Sequence, residues 1–184
     1  MPTHVALLRG VNVGGVKVAM AELRKLVESL GHEDVSTYIQ SGNVLFIPRP
    51  GSGDAGAMAA ELSAAIEESL HVRSAVIVLS RDELAEAAQA NPYPVEPEPR
   101  FVHLVFLAAE PDDSAAAAVA AAVSRCGGKD EATLRGRTLY LHTPGGFGTS
   151  ELAKALLGKR SSPVAAGTAR NWLTVTKLLA LCYG

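Results

Sequence analysis

The chain has 184 residues, of which 48% are hydrophobic and 20% charged, a composition typical of soluble globular proteins rather than of disordered chains. Its formal net charge of −2 excludes the overall positive field that attracts a protein to nucleic acid or to an anionic membrane, and leaves room only for a local basic pocket. No apolar run approaches the roughly 20 residues of a membrane-spanning helix, and the N-terminus lacks a charged leader region, so we expect a cytoplasmic protein.

The cysteines and histidines indicate neither a disulfide nor a metal site. Cys126 and Cys182 lie far apart in the sequence without a C-x-x-C pattern, so both are predicted to be free thiols. The five histidines lack ligand spacings such as H-E-x-x-H. The cofactor, if the protein uses one, is therefore unknown at this stage.

The first half of the chain alternates apolar runs with amphipathic segments. Val5 to Leu8 read as a buried strand, and the helical spacing of apolar residues that begins at Met20 stops at Gly31. Ser41-Gly42 is a turn signal within a hairpin. The predicted elements are a strand at 4–9, a helix at 18–30, strands at 35–40 and 43–47, a helix at 54–70, a strand at 75–79, and a helix at 81–90 that opens with the capping box Ser80-x-x-Glu83.

The second half repeats this order of elements. Four prolines between Asn91 and Arg100 block both helix and central strand, so this segment is predicted to be a linker. After it we predict a strand at 101–107, an alanine-rich helix at 112–124, hairpin strands at 130–135 and 138–142, a helix at 149–157, a short strand at 164–166, and a C-terminal helix at 169–182 with Thr168 as its N-cap.

Each half is therefore predicted to be a β-α-β-β-α-β unit, the ferredoxin-like or α-β plait arrangement, in a protein of the α+β class. The expected domains are residues 1–90 and 101–184, joined by the proline-rich linker at 91–100. The helix at 81–90 and the C-terminal helix are additions to the two units. No repeat is visible at the level of residues, so the duplication is one of topology only.

The predicted topology brings two polar segments together. The first and third strands of such a unit are adjacent and antiparallel, so Arg9, Gly10 and Asn12 should lie beside the turn that contains Ser41 and Asn43. Free backbone N–H groups between a strand and a helix can bind an anion, which makes these residues candidates for a ligand site. The alternative is that both asparagines only hold turns in place, a common role for this residue.

The C-terminal segment supplies further candidates. If the last helix begins near Thr168, Trp172 packs inward and Arg170, Thr174 and Lys177 share the opposite face. That face is either a solvated surface or a cationic strip that, with Asn171 and the helix N-terminus, binds a phosphate or carboxylate. In the second case Arg170 turns towards the Arg9 loop and closes a polar pocket between the halves.

Sequence motifs give no catalytic signature. Gly10 and Gly15 have P-loop spacing, but Val16 occupies the lysine position and no magnesium-binding hydroxyl follows. The glycine-rich loop from Pro144 to Ser150 could cradle an anion, although a loop that closes onto a helix is the simpler interpretation. Whether the protein is an enzyme is left open.

Three blocks resemble the bacterial family known as domain of unknown function 1697. They are Leu7 to Gly15 (LLRG-V-NVGG), Thr37 to Val44 (TYIQSGNV) and Thr168 to Leu178 (T-x-RNW-x-TV-x-KL). The resemblance spans essentially the whole chain and implies two ferredoxin-like halves, but no function. The family pattern has Ser-Lys-Leu where this chain has Ser150-Glu151-Leu152, so no role for a lysine there is carried over.

Two functions remain open from the sequence. The first is a module that binds a small anionic metabolite or nucleotide through the candidate residues. The second is a structural or protein-interaction domain in which these residues only fix turns and helix ends. Binding of single-stranded nucleic acid is disfavoured by the lack of basic charge and aromatic platforms.

Overall fold

In the computed structural model, which describes residues 1–126, 128–158 and 160–184, the chain forms two four-stranded antiparallel sheets. Contacts divide it into two units, one made of Met1–Glu86 with Lys177–Gly184 and the other of Ala87–Thr176. Within the described residues, no helix is long and apolar enough to cross a membrane. Cys126 and Cys182 are free thiols, as the sequence predicts.

The first sheet has the strand order β2-β3-β1-β4, so the first strand of the chain is central. Its elements are β1 (His4–Leu8), α1 (Met20–Ser29), β2 (Glu33–Tyr38), β3 (Asn43–Ile47), α2 (Ala55–Leu70) and β4 (Val76–Ser80), followed by α3 (Arg81–Gln89). β1 pairs antiparallel with both β3 and β4. This is the predicted ferredoxin-like topology.

One face of the first sheet packs against α1 and α2. The buried residues of this core come from every second position of the central strands and from one stripe of each helix: Ala6, Leu8, Val44, Phe46, Leu23, Val27, Met58, Leu62 and Ile66. Full burial of each leucine contributes about 1.5–3 kcal/mol. The core therefore fixes the direction in which β1 ends and the loop to α1 begins.

The second sheet has the corresponding order β6-β7-β5-β8. Its elements are β5 (Val102–Phe106), α4 (Asp113–Cys126), β6 (Glu131–Arg135), β7 (Thr138–His142), α5 (Glu151–Leu157) and β8 (Thr168–Asn171), followed by α6 (Trp172–Tyr183). α4 and α5 cover one face through a core that includes Val105, Val119, Leu141 and Leu152. The topology predicted for the second half is thus also confirmed.

Two local sequence signals have the expected geometry. The Ser80 N–H donates to Glu83 Oε2 over 2.8 Å, and the Glu83 N–H donates to Ser80 Oγ over 3.1 Å, which is a complete capping box at the start of α3. Gly31 has φ +88° after α1, and its N–H donates to the Glu28 carbonyl over 2.9 Å. Each signal places a helix end by satisfying otherwise free backbone groups.

The last strand and the start of the last helix differ from the prediction. The segment 164–166 is not a strand; β8 lies four residues further on and pairs with β5, with Arg170 opposite Leu104. Thr168 is therefore a strand residue rather than an N-cap. The cap is Asn171, whose Oδ1 accepts a 2.9 Å hydrogen bond from the Thr174 N–H.

The later start of α6 removes the predicted cationic strip. Arg170 precedes the helix, and Thr174 is buried, so Arg170, Thr174 and Lys177 do not share a solvated face. Val175 is buried, whereas Trp172 is half-buried. The prediction was wrong because the polar residues from Thr168 to Asn171 fit the pattern of a polar helix face, although their backbone pairs with β5 in a sheet.

Candidate functional site

The loop between β1 and α1 meets the turn between β2 and β3. The antiparallel register places Leu7 opposite Asn43, and the Leu8 N–H donates to the Gly42 carbonyl over 2.8 Å. Two segments about thirty positions apart in the chain therefore lie at the same end of the sheet, as the topology predicts.

Asn12 ties the loop to this turn. Its Nδ2 donates to the Gln40 carbonyl over 2.6 Å and to the Val18 carbonyl over 3.0 Å, while its Oδ1 accepts from the Val18 N–H over 2.9 Å. Asn12 adopts a left-handed backbone conformation with φ +56°, which asparagine tolerates better than most residues. Its side chain thus sets the position of the whole segment that leads into α1.

Gly42 allows the two segments to approach closely. A Cβ atom at this position would lie 2.5 Å from Val11 Cγ2 and 2.7 Å from Leu8 Cβ, and the backbone has φ +74°. Only glycine fits such a contact without displacing its neighbours. The Ser41-Gly42 turn signal is therefore explained by packing as well as by conformation.

Asn43 is fully buried at the start of β3. Its Nδ2 donates to the Tyr38 carbonyl over 3.0 Å and to Ser41 Oγ over 3.1 Å. Both bonds close the turn between β2 and β3. Although the adjacency of Arg9 and this turn predicts a shared hydrogen-bond network, no hydrogen bond joins them among the described residues, because Arg9 bonds to Ser74 and Ala75 instead. Asn12, Ser41 and Asn43 act here as structural residues.

Backbone hydrogen bonds hold Arg9 in place, and its side chain is exposed to solvent. Its N–H donates to the Ala75 carbonyl over 2.9 Å, and its carbonyl accepts from Ser74 Oγ over 2.9 Å. These bonds extend the pairing of β1 by one residue, so the Arg9 side chain leaves the sheet on the face opposite Leu8. Among the groups that the structure describes, its exposed guanidinium has no hydrogen bond or salt bridge.

An open cleft of about 460 Å³ lies beside the loop. It is lined by Asn12, Gly15, Val16, Lys17, Val18, Ala19 and Gln40. Lys17 is exposed, and within the described part of the chain its ammonium group has no ion-pair partner. Sequence reasoning gave Lys17 no binding role, because Val16 separates it from Gly14-Gly15 and no sequence motif marks the cleft.

The N-terminus of α1 adjoins the cleft without a side-chain cap. Its N-cap residue is Ala19, which has no polar side chain, and Gly15 to Val18 before it line the same cleft. The N–H groups of the first helical turn carry the partial positive charge of the helix end. The cleft thus combines Gln40, the N–H groups at the start of α1 and a lysine without an ion-pair partner in the described part of the chain.

The remaining candidates lie in β8 and α6. Arg170 is buried in the second sheet, where its guanidinium donates to the Ala169 carbonyl over 2.8 Å. Burial lowers the pKa of Arg170 to about 10, so the group stays protonated at neutral pH. Asn171 caps α6, and Lys177 is exposed on that helix.

The apolar run around His103 predicts a hydrogen-bonded sheet histidine rather than a metal ligand, and the residue lies on β5. Its ring stacks on Phe147 with 4.2 Å between ring centroids, and its Nδ1 is buried without a hydrogen-bond partner among the described residues. Burial lowers the pKa of His103 to about 4. The imidazole is therefore neutral at physiological pH, which suits a packed core position.

Comparisons with known proteins identify a family and a fold. The model of the family described as "Protein of unknown function (DUF1697)" matches residues 1–140. No curated protein matches the chain. A solved structure of a conserved bacterial protein from Streptococcus pneumoniae is similar over 100% of this chain and 99% of that one, with a TM-score of 0.73 and 24% identity. At this identity the likeness supports the fold alone.

Proposed function

The chain belongs to the DUF1697 family of proteins of unknown function, and from its own geometry we propose that it is a cytosolic module that binds a small anionic metabolite or nucleotide. The proposed site is the cleft between the loop that follows β1 and the Gln40 segment. It lies within the first unit. A reaction is not part of the proposal, because the cleft holds no pair of groups arranged as acid and base.

The observation that carries the proposal is the position of Lys17, which has no ion-pair partner within the described residues, in a cleft that adjoins the N-terminus of α1, where no side chain caps the helix. An anion there would receive hydrogen bonds from backbone N–H groups and would complement both the helix dipole and the lysine charge. The cleft volume of about 460 Å³ falls within the range of small-molecule sites. The positive-φ residues Gly14 and Gly15 leave the approach to the backbone free of side chains.

The candidate residues divide into two roles in this proposal. Asn12 shapes the cleft, and Ser41 and Asn43 hold the adjoining turn, since their side chains bond to the protein itself. Arg9 and Gly10, both exposed on the same loop, would add charge and a backbone donor to a ligand that extends beyond the cleft. Binding roles for Arg170, Asn171 and Lys177 stay predictions.

One observation favours the second function, a structural domain without a small ligand. All three hydrogen bonds of Asn12 go to backbone groups of this chain. A loop that is held in this way needs no ligand to be ordered. The two functions differ in the expected effect of Lys17→Ala, because only the first function gives the Lys17 charge a ligand to bind.

Titration with inorganic phosphate and with AMP, followed by amide chemical shifts, tests the proposal. We expect saturable shifts at Gly14–Glu22, and about tenfold weaker binding in Lys17→Ala. Lys25→Ala is the matched control, because Lys25 lies on α1 but pairs with Glu22 over 3.1 Å. Binding that is unaffected by Lys17→Ala, or no shift at this loop with either probe, would favour the structural function. Native mass spectrometry of freshly purified protein would show a co-purified ligand directly.

A further inference from the structure

The cleft is flanked by exposed apolar side chains. Val13 is 62% exposed, Val16 39% and Ile39 48%. Among the described residues only four other large apolar side chains are comparably exposed: Met1, Leu173, Leu181 and Tyr183. Three of seven thus fall on the two short segments that form the cleft.

The contacts on these segments bring the apolar residues to one place. Val16 lines the cleft, and its N–H donates to the Val13 carbonyl over 3.2 Å, so both belong to one turn. Ile39 directly precedes Gln40, which lines the same cleft and whose carbonyl accepts the Asn12 hydrogen bond. Exposed apolar side chains are ordinary when scattered, but a group of them beside a cavity marks a binding surface.

We propose that the ligand of this cleft is an amphiphilic anion, in which a phosphate or carboxylate group is joined to an aryl or acyl group. The inference rests on the proposed anion binding and specifies the class of ligand. Lys17 and the α1 N-terminus receive the anionic group, and Val16 covers the apolar group, with Val13 and Ile39 beside it. The charge of Lys17 favours a small ligand over an apolar protein surface. Among the described residues Lys17 has no ion-pair partner and lies beside Val16, so the cleft matches a molecule with both an anionic and an apolar group.

The neighbouring positive-φ residues explain why valines are tolerated here. Gly14 and Gly15 take the left-handed conformations with φ +60° and +94°, so Val13 and Val16 are free to adopt ordinary backbone angles. The turn therefore exposes two branched side chains without strain. Such stiff side chains lose little rotamer freedom when a ligand covers them.

The test compares inorganic phosphate with phenyl phosphate by titration calorimetry on the full chain. We expect phenyl phosphate to bind at least tenfold more tightly. Val16→Ser should reduce this difference to less than threefold, whereas Lys17→Ala should weaken the binding of both ligands. Leu181→Ser is the matched control, because Leu181 has a similar exposure of 37% but does not line the cleft.

The outcomes separate this inference from the function on which it rests. Equal affinities for the two probes, or no effect of Val16→Ser, overturn the amphiphilic ligand and leave anion binding intact. If neither probe binds to the wild-type chain, the proposed function is overturned as well. A wild-type dimer that Val16→Ser converts to a monomer in sedimentation measurements would assign the apolar surface to self-association and overturn the inference.

Discussion

The Asn12 side-chain amide donates a 2.6 Å hydrogen bond to the Gln40 carbonyl oxygen, and so joins the first loop to a segment 28 positions later in the chain. The same side chain makes two further bonds to Val18. One residue therefore couples the approach to α1 with the end of the hairpin. The geometry of the proposed cleft depends on it.

Two substitutions of Asn12 separate the stability that its side-chain hydrogen bonds contribute from the cost of its left-handed backbone conformation. Asn12→Ala loses three hydrogen bonds and also places Ala in a left-handed conformation, so we expect a loss of about 3 kcal/mol. Asn12→Gly loses the bonds but relieves the conformational strain, and should be about 1 kcal/mol less harmful. Urea denaturation measures both. Wild-type stability of Asn12→Gly would show that the bonds contribute nothing.

Alanine substitutions at Gly42 and Gly10 separate the cost of a steric overlap from the cost of a positive φ. Gly42→Ala should cost about 3 kcal/mol or more, because the new methyl group overlaps Val11 and Leu8 in addition to the positive-φ strain. Gly10→Ala has a similar φ of +69° but no atom within 4 Å of the new Cβ, so strain of about 1 kcal/mol is expected. Equal losses in thermal denaturation would contradict the close approach at Gly42.

Arg9→Ala should leave the fold intact. Its exposed side chain has no partner within the described residues, so we expect a change within about 0.5 kcal/mol and a melting temperature within a few degrees of wild type. Asn43→Ala is the contrasting variant, because it removes a buried amide with two bonds and should cost about 2 kcal/mol. If Arg9→Ala collapses the fold, Arg9 is structural and leaves the list of binding candidates.

At acidic pH the free energy of unfolding should fall, partly because His103 takes up a proton on unfolding. Burial lowers its folded-state pKa to about 4, whereas the imidazole in the unfolded chain protonates near its usual pKa of 6.5. Between these values the unfolded state binds more protons, so the free energy of unfolding falls as pH falls, by up to about 3 kcal/mol at pH below 4. Burial also lowers the pKa values of His4 and His32, which act in the same direction.

Denaturation curves between pH 7 and pH 4 test this contribution. His103→Leu cannot take up the proton and should show a smaller loss over this window. His71→Asn is the control, because His71 is exposed and asparagine tolerates its φ of +56°. An identical pH dependence in His103→Leu and wild type would refute the role of His103.

Much of the fold could be predicted because local and periodic signals agreed. The alternation of apolar residues in β1 and β3, the Ser80–Glu83 capping box and the stop at Gly31 each point to the observed element. The juxtaposition of Asn12 with the Gln40 turn followed from strand order alone. Such features depend on backbone hydrogen bonding, which leaves a regular trace in the sequence.

β8 could not be predicted from such signals. Thr168 and Arg170 are buried, and the small Ala169 between them packs against the apolar core, so the strand buries polar side chains and shows no clear apolar alternation. The pattern was therefore attributed to the helix that follows. The cleft at Lys17 was missed for another reason, since it is created by the loop's path and not by a motif.

The first unit is built from two separate stretches of chain, Met1–Glu86 and Lys177–Gly184. Within it, Tyr183 donates to Asp82 over 3.0 Å, and the Arg81 guanidinium lies 5.1 Å from the Tyr183 ring centroid. During translation, the ribosome therefore releases the second unit, Ala87–Thr176, before the last part of the first unit emerges. A nascent chain can form the loop beside β1 early, but it acquires its final aromatic contact only when synthesis has passed Tyr183.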